Sequence, residues 1–150
     1  MTTARCNIHA TAIVTGTTGL LFVGPSGCGK SALALACMAS TRRAGQFSAL
    51  VADDQVFITV HNDRVVATRP ETTRGLVEVR GVGIVETESI SAALMDYAVQ
   101  PIDLATAERL PPEGQRYHIV DNISLPLVLL PADSPDPVSV LAAFIPALRF

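Results

Sequence analysis

The chain has 150 residues, 49% hydrophobic and 17% charged, a balance that fits one compact domain over residues 1–150 and excludes a disordered tail. A net charge of −3 offers no broad basic field to nucleic acid, and 5% aromatic residues with no tryptophan leave no base-stacking platform. No apolar run reaches the roughly 18 residues that span a bilayer, so no membrane partner is expected. Residues 1–16 lack the basic and apolar segments of a secretion signal, and Cys6, Cys28 and Cys37 form no CxxC pair. Free thiols in a reducing cytoplasm are therefore expected.

In chain order, Asn7–Thr15 reads as a strand carrying His9, and Gly16–Gly19 as a turn. Leu20–Val23 is a short apolar strand, Gly24–Gly29 a loop, and Lys30–Ser40 has the alanine and leucine content of a buried helix. Ser48–Ala52 is a further apolar strand that ends in Asp53-Asp54. The β-branched arms Val56–Val60 and Arg64–Thr68 predict a hairpin across His61-Asn62-Asp63. Leu76–Thr87 predicts a strand pair interrupted by Gly81 and Gly83. Tyr97–Gln100, Tyr117–Val120 and Leu125–Leu130 read as strands, Ala105–Leu110 as a short helix, and Val138–Leu148 as a terminal helix after a proline-rich loop. This order predicts an α/β fold with much antiparallel content, a mixed sheet around one strand–loop–helix unit.

That unit carries the sharpest motif. Gly24-Pro25-Ser26-Gly27-Cys28-Gly29-Lys30-Ser31 fits G-x-x-x-x-G-K-[ST] at every fixed position. Glycines let the backbone curl so that its N–H groups point at phosphate oxygens, and the following helix aims its positive end at the same place. Lys30 reaches the β- and γ-phosphates as a point charge, and Ser31 offers a hydroxyl to Mg²⁺. Lys30 is also the only lysine, the other ten basic residues being arginines, so its place in the loop calls for a reason. A nucleotide with Mg²⁺ is the ligand this pattern predicts.

Two further stretches carry chemistry. In Leu50-Val51-Ala52-Asp53-Asp54, adjacent acids on a strand point to opposite faces, so one is expected to face the phosphates and the other to face away. A hydroxyl acceptor needs such a carboxylate to take its proton. In Leu76-Val77-Glu78-Val79-Arg80-Gly81-Val82-Gly83-Ile84, Glu78 and Arg80 share one face of a strand. Glu78 suits a metal ion, and Arg80 the charge on a transferring phosphoryl group.

His9, GPSGCGKS, LVADD and GLVEVRGVGI, in that order, resemble the C-terminal catalytic domain of bacterial HPr kinase/phosphorylase, most nearly its short forms. The resemblance runs from about His9 to Glu86. It implies a P-loop fold of that family and a cytoplasmic enzyme that uses ATP and Mg²⁺ to phosphorylate a serine of the phosphocarrier protein HPr. It also implies the reverse reaction, phosphorolysis by inorganic phosphate to give pyrophosphate. By position, Asp53 is the implied base and acid, and Asp54 supports the metal or the base. His9 lies near the phosphates, Glu78 shares Mg²⁺ with Ser31, and Arg80 belongs to the signature tied to the reverse reaction. A homo-oligomer, usually a hexamer, is also implied.

The sequence departs from that pattern at Pro25 and Ala32, where longer forms carry acids, and in Leu125–Pro137, which holds no basic residue. Arg109 and Arg116 are the nearest candidates for the family's arginine near the acceptor protein. Two other readings accompany this one. Arg69 and Arg74 could form the lid of a small-metabolite kinase, and a non-catalytic nucleotide-sensing module would use the loop alone.

Overall fold

The computed structural model describes residues 5–150. An eight-stranded mixed sheet has the order β7-β4-β3-β1-β2-β8-β10-β9. Its strands are β1 (Cys6–Thr15), β2 (Thr18–Phe22), β3 (Ser48–His61), β4 (Arg64–Thr68), β7 (Ala92–Met95), β8 (Tyr97–Ile102), β9 (Arg116–Val120) and β10 (Ile123–Pro131). The strands β5 (Leu76–Val79) and β6 (Gly83–Glu86) form a separate antiparallel hairpin. Two helices, α1 (Lys30–Arg43) and α2 (Pro137–Phe144), complete the regular elements among the described residues, with short 3-10 turns at Glu71–Thr73 and Pro146–Leu148.

Both faces of the sheet are buried, which explains apolar runs where a half-exposed strand would alternate. Leu20 and Phe22 of β2 pack with Leu33, Cys37 and Met38 of α1 and with Leu141 of α2. Leu21 and Val23 point the other way, into a second cluster with Ile58, Val65 and Met95. Burial drives the Cys37 thiol up to about 12, with a smaller push from the Asp136 charge, so this cysteine is packing material rather than a nucleophile.

Strands β2, β8 and β10 are mutually parallel neighbours, so their carboxyl ends open on one edge of the sheet. The glycine loop leaves β2 at that edge. Strand β1 runs antiparallel to both β2 and β3 and brings its first half to the same edge. Its register with β3 slips between Ala12 and Ile13, where Ala12 opposes Ala52 but Ile13 opposes Leu50. The extra residue, Val51, forms a bulge. As a result Leu50 packs on the helix side while Val51 and Ala52 both pack in the other cluster. The alternation resumes one residue late, and Asp53 faces the loop.

The hairpin of β3 and β4 turns at Asn62 and Asp63, both at positive φ (51° and 62°), as its sequence predicts. Two expectations change. No helix forms over residues 105–110: the Asp103 carbonyl accepts from Thr106 and Ala107 N–H for a single turn, and Pro111-Pro112 stop its propagation. The terminal helix ends at Phe144, because Ile145 precedes Pro146 and is extended (φ −121°, ψ 96°). Strand β7, where the sequence predicts no element, has the helix-favouring sequence AALM and is set by pairing with β4 rather than by propensity.

Gly19 fixes the corner between β2 and the β7–β8 turn. Its N–H donates to Asp96 Oδ2 (2.8 Å), its carbonyl accepts from Asp96 N–H (2.9 Å), and an added Cβ would lie 1.8 Å from the Leu94 carbonyl oxygen. Backbone cannot yield as a flexible side chain would, so Gly19→Ala should cost about 3 kcal/mol. Urea unfolding of the two proteins measures this.

Candidate active site

The glycine loop, the start of β1, the middle of β3 and the end of β5 converge on one cleft of about 190 Å³. The loop curls through glycines at positive φ, Gly24 (129°), Gly27 (82°) and Gly29 (104°), and Gly29 caps α1. The first turn of α1 holds no acid, so its N–H groups and dipole face the cleft unopposed.

Lys30 is 7% exposed, and its ammonium donates to the carbonyls of Gly24 and Pro25, both at 2.9 Å. No carboxylate pairs with it among the described residues. A nearly buried cation held by two carbonyl dipoles and, at 3.9 Å, the Cys28 sulfur, with no carboxylate against it, suits an anion.

Asp53 is the hub of the cleft. It is 8% exposed and accepts from Thr11 Oγ1 (2.7 Å) and Ser31 Oγ (2.8 Å) at one oxygen, and from Glu78 N–H (3.1 Å) at the other. Three separate elements thus converge on one carboxylate. Thr11 escaped the sequence analysis, although its hydroxyl stands two residues from His9 in an apolar strand and shares its face.

Asp54 departs from the expected alternation. Rather than facing away from the cleft, it lines the cleft beside Asp53, because its backbone turns to φ 72°. Its Oδ1 lies 2.9 Å from His9 Nδ1. That contact commits one ring nitrogen to the carboxylate and leaves Nε2 as the other.

The β5–β6 hairpin closes the cleft. Val77, buried in the helix-side core, anchors it, and Val79 packs against the same cluster. Glu78 and Arg80 both line the cleft, though Arg80 lies in the turn beyond the strand. The Arg80 guanidinium lies over the glycine loop, with Nη1 3.2 Å from where a Gly27 Cβ would stand. A Cβ at Gly27 would require the guanidinium to give by a few tenths of an ångström.

The cleft also takes in Ser26, Gly27, Gly29 and Ser31 from the loop. Among the described residues no three His, Cys, Asp or Glu side chains gather as a self-sufficient metal site. What the cleft offers is hard oxygen: the Ser31 hydroxyl and the carboxylates of Asp53, Asp54 and Glu78. That donor set suits Mg²⁺, which takes one or two carboxylates and completes its shell with phosphate oxygens and water.

The other arginines considered above lie elsewhere. Arg69 is largely buried, donates to Ser89 Oγ (2.9 Å) and sits beside Glu71, so it braces its own segment. Arg116 is tied to Ser124 through its Oγ (2.6 Å) and carbonyl (3.0 Å). Neither of them, nor Arg74 or Arg109, lines the cleft.

Comparison with known proteins gives the family and the fold. Residues 1–139 match the family model described as the HPr Serine kinase C-terminal domain. A protein named HPr kinase/phosphorylase from Lachnoclostridium phytofermentans is 35% identical over 101 residues, which are 67% of this chain and 31% of that one. One of the same name from Xylella fastidiosa is 30% identical over 141 residues, 85% of this chain and 42% of that one. This chain therefore spans less than half the length of these curated relatives. The solved structure of the Hpr(Ser) kinase/phosphatase from Coxiella burnetii superposes with a TM-score of 0.71 at 22% identity, covering 95% of this chain and 93% of that one, and shares the fold. The chain belongs to the HPr serine kinase C-terminal domain family.

Proposed function

We propose that this chain is an ATP-dependent protein-serine kinase of an HPr-type phosphocarrier protein, and that the same cleft reverses the reaction by phosphorolysis. The carrying observation is the direct bond from the loop serine to the buried acid, Ser31 Oγ to Asp53 Oδ1 at 2.8 Å. It joins a phosphate cradle and a proton acceptor across one cleft. The relatives' names support the acceptor's identity.

In the forward direction, Asp53 takes the proton of the acceptor's serine hydroxyl as that oxygen bonds to the γ-phosphorus. The bond from the γ-phosphorus to the β–γ bridging oxygen breaks, and ADP leaves. Lys30 and the loop N–H groups hold the β- and γ-phosphates in line, and Arg80 answers charge on the transferring group. In reverse, an oxygen of inorganic phosphate attacks the phosphoserine phosphorus. The serine oxygen leaves with the proton that Asp53 returns, and pyrophosphate is the product. His9 and Asp54 form a second polar pair at the rim, placed to bind a phosphate oxygen through the ring.

Mg²⁺, when bound, neutralises charge on the phosphates. Ser31 and Glu78 would hold it, with Asp54 in support. Val82 and Ile84, 78% and 71% exposed at the hairpin, suit contact with the acceptor protein or a neighbouring subunit of a hexamer. The cytoplasm, where such a carrier resides, is the proposed compartment. Neither nucleic acid nor a membrane is a proposed partner, and no helix among the described residues is long and apolar enough to cross a membrane. With Arg69 spent on Ser89, no lid favours the small-metabolite reading.

Transfer of labelled phosphate from ATP to HPr tests the proposal. Asp53→Asn should keep ATP binding within about threefold and lower transfer by about a thousandfold or more. Lys30→Ala should lose both ATP binding and transfer. Transfer at the wild-type rate in Asp53→Asn would remove Asp53 as the base.

Glu78→Ala should raise the Mg²⁺ concentration for half-maximal transfer by about tenfold. An unchanged metal titration would take Glu78 out of the metal site.

A further inference from the structure

The loop has a second opening. On its other flank lies a cavity of about 560 Å³, within the roughly 300–1,000 Å³ typical of small-molecule sites. Its walls are Gly27 and Cys28 of the loop, residues 101–105 at the end of β8 and just beyond it, and residues 132–133 after β10. Because β2, β8 and β10 run parallel, all three segments leave the carboxyl edge of the sheet, the usual place for a ligand. Gly27 lines both this cavity and the phosphate cleft, so the two flank the same loop.

The wall segments are fastened together. Ala132 N–H donates to the Ile102 carbonyl (2.9 Å), and the Ala132 Cβ stands 3.7 Å from where a Gly29 Cβ would be. Asp103 Oδ1 accepts from Ala105 N–H (2.9 Å), which leaves its second oxygen free for a ligand. The Asp133 carboxylate has no partner among the described residues. Pro101, Leu104 and Ala132 supply apolar surface, and Leu104 is 62% exposed with nothing packed over it.

This chemistry selects its ligand. Two carboxylates repel further phosphate, so the cavity does not extend the phosphate cradle. They attract hydroxyl donors, and a ribose carries two. The apolar walls accept a flat base. We infer that this cavity binds the ribonucleoside half of the nucleotide, with Asp103 and Asp133 on the ribose hydroxyls and Leu104 against the base. The inference rests on the phosphate-site reading of the previous subsection.

Calorimetry with Mg-ATP and Mg-tripolyphosphate separates the two halves of the ligand. The wild type should bind ATP at least about tenfold more tightly than tripolyphosphate. Leu104→Asp, and separately the pair Asp103→Asn with Asp133→Asn, should bring the two ligands within about threefold while leaving tripolyphosphate affinity unchanged. Thermal melts matching wild type establish that both variants are folded. A preference for ATP that survives in both folded variants overturns the inference and leaves the phosphate site standing. Equal affinity of the wild type for the two ligands also overturns it. A wild type that binds neither overturns the phosphate-site reading and the inference with it.

Discussion

One carboxylate organises the site. Asp53 is nearly buried, carries no cationic partner among the described residues, and is held by donors from β1, from the start of α1 and from β5. Each hydrogen bond to a charged acceptor contributes about 1.5–3 kcal/mol, and together they offset much of the cost of keeping that charge out of water. The same bonds couple fold to function. The hairpin that carries Glu78 and Arg80 touches the sheet through this carboxylate and through Val77, so the acid proposed as the base also locates the residues around it.

Opposite charges face each other across the cleft without pairing. Lys30 rests on two loop carbonyls, and Asp53 on hydroxyls and an N–H. A direct salt bridge would fill the space between them. Keeping the charges apart leaves a preorganised gap into which a phosphoryl group and a hydroxyl can enter, with the cation on the phosphate side and the base on the hydroxyl side. This division also suits the proposed reversibility. A carboxylate able to accept a serine proton can return it, and a loop that holds a terminal phosphate can hold inorganic phosphate.

Much of this was legible in the sequence because its causes are local. The phosphate loop follows from glycine conformations and the helix that follows it, and the β3–β4 hairpin from an Asn-Asp turn between β-branched arms. What was hidden depends on pairing between distant segments. Alternation along β3 predicts opposite faces for Asp53 and Asp54, yet a bulge at Val51 re-aims the first and a positive φ returns the second to the cleft. Both are properties of β1 meeting β3. Strand β7 has no strand signal in its sequence AALM and exists because β4 offers an edge. Thr11 carried a signal in its spacing from His9, but its importance emerges only when Asp53 stands opposite it in the register.

The measurement that tests the central claim most directly follows phosphate in the reverse direction. HPr carrying labelled phosphoserine is mixed with the wild-type protein, Mg²⁺ and unlabelled inorganic phosphate, and the released label is identified. A single cleft that holds inorganic phosphate against a serine-bound phosphoryl group predicts labelled pyrophosphate, formed only when inorganic phosphate is present. Label released as free phosphate, at a rate indifferent to added phosphate, would mean that water is the attacker and would contradict the account.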